Sequence, residues 1–352
     1  MLKIGIAGLG FMGRMHWACW RRTQECQVTA VCDSNPNLRQ DLRRAVGNIQ
    51  GADAEAALDG LELYHDLDSM LSHAGLDAVS VTLPTHRHAE ASMRALHAGV
   101  HVLCEKPMAL SLDQCDRMIQ AAGESGRVLQ IGHCIRFWPD YAKAAEIVRS
   151  GRYGAVKAAT FRRLSAVPTW GVDHWLTDEA RSGGVALDLH VHDTDYILYL
   201  LGRPLAVQSY AARSEAAGGR VHIVTHYRYA GEQVVTAEGS WAMTPSFGFQ
   251  MAFVMALESA SVVYDSAQVP ALRVYPRDGE AFVPALPPGD GYSLEIEHFA
   301  RRVRGEIAEG VTTTQDSRQS VEVVLAEMES ARKGEPVALC GPGMRDQAEG
   351  WT

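Results

Sequence analysis

The residues best suited to chemistry lie in one stretch of this 352-residue chain, Gly183-Gly184-Val185-Ala186-Leu187-Asp188-Leu189-His190-Val191-His192-Asp193-Thr194-Asp195, which runs on to Tyr199-Leu200-Leu201-Gly202. The spacing predicts a helix. Leu187, Val191, Leu198 and Leu201 fall on an apolar side. Gly202 suits a left-handed C-terminal cap, and Pro204 keeps the helix from resuming. Asp188, His192, Asp195 and Tyr199 follow at intervals of four, three and four on another side. A carboxylate and an imidazole within reach of each other can handle a proton, whereas burying them unpaired is costly. Gly183 and Gly184 let the backbone approach a neighbour closely. This side reads as the proton-handling half of an active site whose other half lies near the N-terminus.

That other half starts with an apolar run, Leu2 to Ala7, followed at once by Gly8-Leu9-Gly10-Phe11-Met12-Gly13, a helix to about Arg22, and a second strand, Gln27 to Cys32. This is the context that G-x-G-x-x-G requires. Gly8 permits the tight turn, Gly10 lets a pyrophosphate approach, and Gly13 lets helix and strand pack. The helix N-terminus then holds the phosphates. Asp33 closes the second strand, where an acid binds the ribose hydroxyls. Its charge repels a 2′-phosphate, so NAD is expected rather than NADP. Two later strand ends also carry unusual residues: Thr82-Leu83-Pro84-Thr85-His86-Arg87-His88, and Glu105-Lys106-Pro107, whose lysine points to the cofactor cleft.

The elements around these residues alternate. After Asn35 a helix is expected to about Val46, then a surface excursion at 47–60. Strands follow at Asp77–Leu83, Val100–Cys104 and Val128–Gly132, with helices at Arg87–Ala98 and Leu112–Ser125. The rhythm implies a doubly wound parallel sheet covered on both faces. Near Gly132 the character changes. Strands at Ala155–Leu164, Leu205–Arg213, Arg220–Arg228, Gln233–Trp241, Phe247–Leu257 and Ala260–Tyr264 imply an α+β domain with a large, mostly antiparallel sheet. Helices at Tyr292–Arg304 and Gln315–Lys333 are expected to close it. The predicted domains are 1–132 (dinucleotide-binding), 133–334 (substrate and oligomerisation) and a tail at 335–352.

Bulk properties narrow the function. A formal net charge of −9, with 47% hydrophobic and 21% charged residues, describes an ordinary globular chain and argues against nucleic acid or an anionic membrane as partner. No apolar run approaches the roughly 20 residues of a membrane span. Met1-Leu2-Lys3 leads straight into a strand, so no secretory signal is expected. Seven scattered cysteines without a C-x-x-C pair suggest free thiols in a cytoplasmic protein, Cys32 and Cys104 being small core residues.

Taken together, the glycine-rich nucleotide fold, Glu105-Lys106-Pro107, and G-G-x-x-x-D-x-x-x-H-x-x-D from Gly183 to Asp195 closely resemble the glucose–fructose oxidoreductase / inositol dehydrogenase (Gfo/Idh/MocA) family of NAD(P)-dependent sugar and polyol dehydrogenases. The resemblance implies a catalytic set of Lys106, Asp188 and His192, with His192 as acid/base. It also implies cofactor contacts at Gly8 to Gly13, Asp33, Thr82, Leu83, Pro84, His88 and Glu105, with Lys106 beside them. The family often has a glycine where this chain has His190.

Oxidising a secondary alcohol needs a hydride acceptor, the nicotinamide, and a base for the hydroxyl proton. Imidazole suits the base, since its unperturbed pKa of about 6.5 is near working pH. Asp188 would orient the ring or bind a neighbouring hydroxyl, and Lys106 would stabilise the developing alkoxide. Trp138, Trp170, Trp175 and His174 lie in loops before the glycine pair and offer faces for a sugar or nicotinamide, Trp175 because family members place an aromatic near there. Arg136 suits a substrate hydroxyl, carboxylate or phosphate, or a structural ion pair. No metal is expected: on a helix His190 and His192 point about 200° apart, and His222 and His226 lack a third ligand. A sheet face set with Tyr227, Tyr229, Trp241 and Phe253 could join copies into a homodimer or homotetramer, or be covered by the chain's own helices. The expected function is hydride transfer between a sugar or cyclic polyol and NAD. The alternatives are an NAD-using glycosidase with transient oxidation at C3 and a catalytically silent sugar- or nucleotide-binding regulator.

Overall fold

Five short, mostly apolar runs form strands that are largely buried, and a three-residue strand with a partly exposed Glu-Leu-Tyr sequence adds the edge. They are β1 (Leu2–Ala7), β2 (Cys26–Cys32), β3 (Glu62–Tyr64), β4 (Ala78–Val81), β5 (His101–Glu105) and β6 (Leu129–Gly132). All pair in parallel, in the order β3-β2-β1-β4-β5-β6. That order reverses direction between β1 and β4, and ligands of such sheets bind beyond the carboxyl ends at that point. The computed structural model describes residues 1–38, 60–215 and 218–339. The expected helix ending near Val46, the 47–60 excursion save its last residue, and the tail from 340 onward fall outside the described residues.

Among the described residues, the helices between these strands are α1 (Phe11–Trp20), α2 (Leu67–His73), α3 (His88–His97) and α4 (Leu112–Ser125). A linear cut near residue 132 misses two returns of the chain. Thr169–Leu176 and Gly289–Arg318 also belong to the first unit. The helix expected to close the second domain instead packs on α1, where Trp20 and Phe299 meet edge to face with ring centroids 6.1 Å apart. A buried tryptophan on α1 needs an apolar cover, and a distant helix supplies it.

The second unit comprises Pro139–Pro168, Thr177–Pro288 and the chain from Gln319 onward. In chain order its elements are α5 (Pro139–Arg149), β7 (Val156–Ala166), the single turn α6 (Glu179–Ser182), α7 (Val191–Leu201), β8 (Ala206–Ser214), β9 (Gly219–Arg228), β10 (Val234–Met243), β11 (Phe249–Leu257), β12 (Ala260–Asp265) and β13 (Leu272–Pro276). After the returning helix α8 (Gly291–Val303) come α9 (Thr314–Lys333) and β14 (Val337–Ala338). The eight-stranded sheet runs β13-β12-β11-β7-β10-β9-β8-β14, antiparallel except for β7 beside β10.

One face of this sheet is buried by α5 and α7. Tyr141 stands edge-on to Tyr196, Phe253 and Tyr264 at 4.9, 5.1 and 5.0 Å. Tyr227, Tyr229, Trp241 and Phe253, offered as an interface between copies, are all buried within the single chain. Strand alternation is the reason: Phe253 faces in, and its neighbour Val254 is 52% exposed. The exposed aromatics on the strands of this sheet are Tyr210 and Tyr275. Among the described residues no helix is long and apolar enough to cross a membrane.

Candidate active site

The glycine-rich turn links β1 to α1. Gly10 caps the helix without a side chain, and no acid occupies its first turn, so the N-terminal amide groups are left for an anion. Gly13 has a more local reason than helix–strand packing. A Cβ there would lie 2.0 Å from the Gly8 carbonyl oxygen, and backbone cannot step aside. We expect Gly13→Ala to weaken coenzyme binding at least about tenfold, or about 1.4 kcal/mol, in a fluorescence titration with NADH. Unchanged affinity would contradict the role given to this turn.

Asp33 follows β2, and its carboxylate accepts the Leu9 amide at 2.7 Å and the Asn35 amide at 2.8 Å. The acid is thereby fixed against the glycine-rich turn with lone pairs left over for hydroxyl donors. Thr82 lies across from it, its Oγ1 2.6 Å from the Gly8 carbonyl oxygen. The neighbouring Phe11 and Met12 are half-buried, and the Phe11 ring meets Trp170 at 6.1 Å. These contacts and the uncapped helix fit a dinucleotide.

His88, fully buried, joins two of the expected loops. Its Nδ1 lies 2.8 Å from the Pro107 carbonyl oxygen and its Nε2 2.8 Å from that of Leu83. Burial holds this imidazole below the ordinary histidine range, and the two carbonyl contacts act against that shift. Its observed contacts are thus with the two turns that hold Pro84 and Lys106. Glu105 is also buried, 5% exposed. One oxygen accepts the Lys106 amide at 3.1 Å and the other bonds His16 Nε2 at 2.9 Å. Lys106 itself is half-exposed. Burial pushes the thiols of Cys32 and Cys104 up to about 12, so neither is a nucleophile near neutral pH.

In the second unit, Gly183 and Gly184 take φ values of 77° and 63°, left-handed conformations, and Gly183 also approaches a neighbour closely, since a Cβ there would lie 2.5 Å from the Leu187 Cβ. The segment after them is not a uniform helix. Ala186–His190 forms a π-helical turn before α7 begins, a feature that recurs at functional sites. From Ser182 to Leu198 every residue is buried except Asp188 and His192. The other polar side chains of this segment face the interior. Asp193 receives Arg163 through two bonds, Nε to Oδ2 at 3.1 Å and Nη2 to Oδ1 at 2.9 Å. Thr194 donates to Glu327 at 3.1 Å, and Glu327 lies 3.3 Å from His190 Nε2. Asp195, expected on the proton-handling side, is buried instead and accepts Ser320 Oγ at 2.8 Å. Three residues turn an α-helix about 60° short of a full revolution, enough to direct Asp195 inward. Tyr199 is held by Arg149, which donates to its hydroxyl at 2.7 Å.

The remaining expected residues fall as follows. Arg136 is 3% exposed and donates Nη1 to the Val311 carbonyl and to Asp316 at 3.0 and 3.1 Å, the structural ion-pair setting. Trp138, half-buried, meets Tyr292 edge-on at 5.9 Å. Trp175 is half-buried and His174 exposed, and Asp173 and His174 both have φ near 50°. Arg163 and Glu327 escaped the sequence reading because nothing local marks a residue of a distant strand or helix as the partner of a buried carboxylate or imidazole.

Residues 2–133 match the sequence model described as "Oxidoreductase family, NAD-binding Rossmann fold" of Gfo/Idh/MocA, and residues 141–262 match a Gfo/Idh/MocA C-terminal domain. D-glucoside 3-dehydrogenase of Escherichia coli (strain K12) is 33% identical over 216 residues, 60% of this chain and 57% of that enzyme, so the match spans little more than half of that relative. The scyllo-inositol 2-dehydrogenase (NAD(+)) of Bacillus subtilis (strain 168) is 27% identical over 96% of both chains. A levoglucosan dehydrogenase solved with NADH and levoglucosan shares the fold, with a TM-score of 0.81 at 20% identity, covering 97% of this chain and 100% of that one.

Proposed function

We propose that this chain, which belongs to the Gfo/Idh/MocA family of NAD-binding oxidoreductases, moves a hydride between a secondary alcohol of a sugar or cyclic polyol and nicotinamide. One observation carries the reading: in the buried segment Ser182–Leu198, Asp188 and His192 alone reach the surface. Gly8 to Gly13 and Asp33 would hold the dinucleotide, which supplies the hydride acceptor when bound. His192 takes the hydroxyl proton, Asp188 orients the ring or a neighbouring hydroxyl, and Lys106 stabilises charge on the oxygen. Trp138, Trp170, His174 and Trp175 are the candidate sugar and nicotinamide contacts, while Arg136 keeps its structural ion pair. The test is NADH formation across inositols, hexoses, sugar acids and sugar phosphates. No turnover with any of these classes sinks the reading.

Asp33 favours NAD, since its fixed carboxylate would stand beside a 2′-phosphate. Two such charges about 4 Å apart near a protein surface repel by about 4 kcal/mol. We expect kcat/KM to favour NAD over NADP, and Asp33→Ser to narrow that preference at least about tenfold. An unchanged ratio in the variant would assign the selectivity elsewhere. We also infer a homodimer or homotetramer through the outer sheet face, where Tyr210 is 61% and Val254 52% exposed. The likeness to a D-glucoside 3-dehydrogenase favours one second reading, glycoside cleavage by transient oxidation at C3. A ketone there acidifies the adjacent C–H and permits elimination at C1. A chromogenic glycoside hydrolysed without net NADH would support it.

A further inference from the structure

The first unit contains a buried chain of hydrogen bonds that ends on the main chain of Lys106. Trp20 Nε1 donates to Ser80 Oγ at 2.8 Å. Ser80 Oγ lies 3.0 Å from His16 Nδ1, and His16 Nε2 lies 2.9 Å from Glu105 Oε1. The other Glu105 oxygen accepts the Lys106 amide at 3.1 Å. Trp20, Ser80 and His16 are 0% exposed.

Only one arrangement of protons on a neutral imidazole satisfies every link. An indole N–H can only donate, so Ser80 accepts from Trp20 and its own hydrogen is available to His16 Nδ1. Nδ1 then accepts, and the remaining ring hydrogen sits on Nε2, directed at Glu105. The Glu105 carboxylate, which only accepts, thus places the hydrogen of a neutral ring on Nε2, leaving Nδ1 to accept from Ser80, and the histidine in turn holds the carboxylate. Burial acts most strongly on the Glu105 carboxyl and raises it, but the His16 bond and the charges of His16, Lys106 and His88 together outweigh it, and the group stays below the usual carboxylate range. Gly132, paired with Glu105 across the sheet, makes room: a Cβ there would lie 3.3 Å from Glu105 Oε1. On the other side of the lysine, the Pro107 carbonyl is held by His88.

We propose that His16 is a positioning residue for Lys106, acting through the Glu105 carboxylate, and that it couples the helix of the dinucleotide turn to the lysine. The proposal rests on the reading that Lys106 acts on the reacting oxygen. It adds a requirement: the side chain one turn after Gly13 must donate to Glu105 and accept from Ser80.

The test is a double-mutant cycle on the full chain with NAD and its best sugar substrate. His16→Leu is expected to lower kcat at least tenfold, while NADH affinity by fluorescence stays within threefold. His16→Gln, which keeps a donor near the Nε2 position and an acceptor behind it, should recover most of the loss. In a Lys106→Ala background, His16→Leu should cost no more than a further twofold, since a residue acting through the lysine has nothing left to position. Equal losses in both backgrounds, or wild-type kcat in His16→Leu, overturn the proposal. If Lys106→Ala keeps wild-type turnover, the role of the lysine fails first and takes the proposal with it. Should His16→Leu not fold, Ser80→Ala enters the same cycle and is expected to lower kcat severalfold with the same non-additivity. Additive losses there count against the proposal.

Discussion

Replacing His192 with alanine should lower kcat by about 10²- to 10⁴-fold, the usual contribution of a positioned general base, and leave coenzyme binding intact. The argument starts from exposure. His192 lies on a helix whose flanking polar groups are buried, and it shares its access to the surface with Asp188 alone. The buried anchors carry the packing of α7, so removing the half-buried imidazole should leave the fold in place. The expected signature is therefore a split: unchanged melting temperature, NADH affinity within about threefold, and a collapsed kcat. Added imidazole should restore part of the rate if the ring acts by moving a proton. A variant with normal turnover would remove His192 as acid/base. One with lost turnover and lost NADH binding would assign it to structure. Asp188→Asn should cost less, since an amide still orients a ring or binds a hydroxyl.

The parts of this site legible in the sequence are those whose reasons are local. Gly8, Gly10, Gly13 and Asp33 serve one turn and the strand end beside it, within a single βαβ unit, so their spacing alone carries the meaning. Asp188 and His192 were legible because a four-residue interval stays on one side of a helix, and the interval tolerates the π-helical turn at Ala186–His190. The turn itself was not legible, and neither was the fate of Asp195, whose partner Ser320 lies on another helix. The pattern of Gln315–Lys333 gives the helix, but nothing in it says that Glu327 meets His190. The same limit hid the return of α8. Its apolar side fits either unit, and only the unmet surface of Trp20 decides. Tyr227 and Phe253 show the limit for sheets. Alternation says that one face is apolar, not whether a helix or a second copy covers it.

Arg163→Met should be the most damaging single substitution away from the surface. Arg163 on β7 is 2% exposed, and its guanidinium grips Asp193, itself 0% exposed, through two bonds. A methionine fills much of the volume but leaves the carboxylate buried without its cation, and breaking a buried pair this way costs about 3–5 kcal/mol. At about 2–4 °C per kcal/mol for a unit of this size, the melting temperature should fall by roughly 6–20 °C. The effect should reach the site as well, because Asp193 directly follows His192 and its anchor fixes the first turn of α7. Kinetics below the melting transition should therefore show a reduced kcat with NADH affinity preserved. Pairing the substitution with Asp193→Leu separates the two roles of the pair. With both charges gone no ion is left buried, and most of the stability should return, while kcat stays low because the helix has lost its directional bond to the sheet. A loss of less than about 1 kcal/mol in Arg163→Met, the range of exposed ion pairs, would mean that Asp193 finds another partner and that the grip of β7 on α7 is not what aims His192.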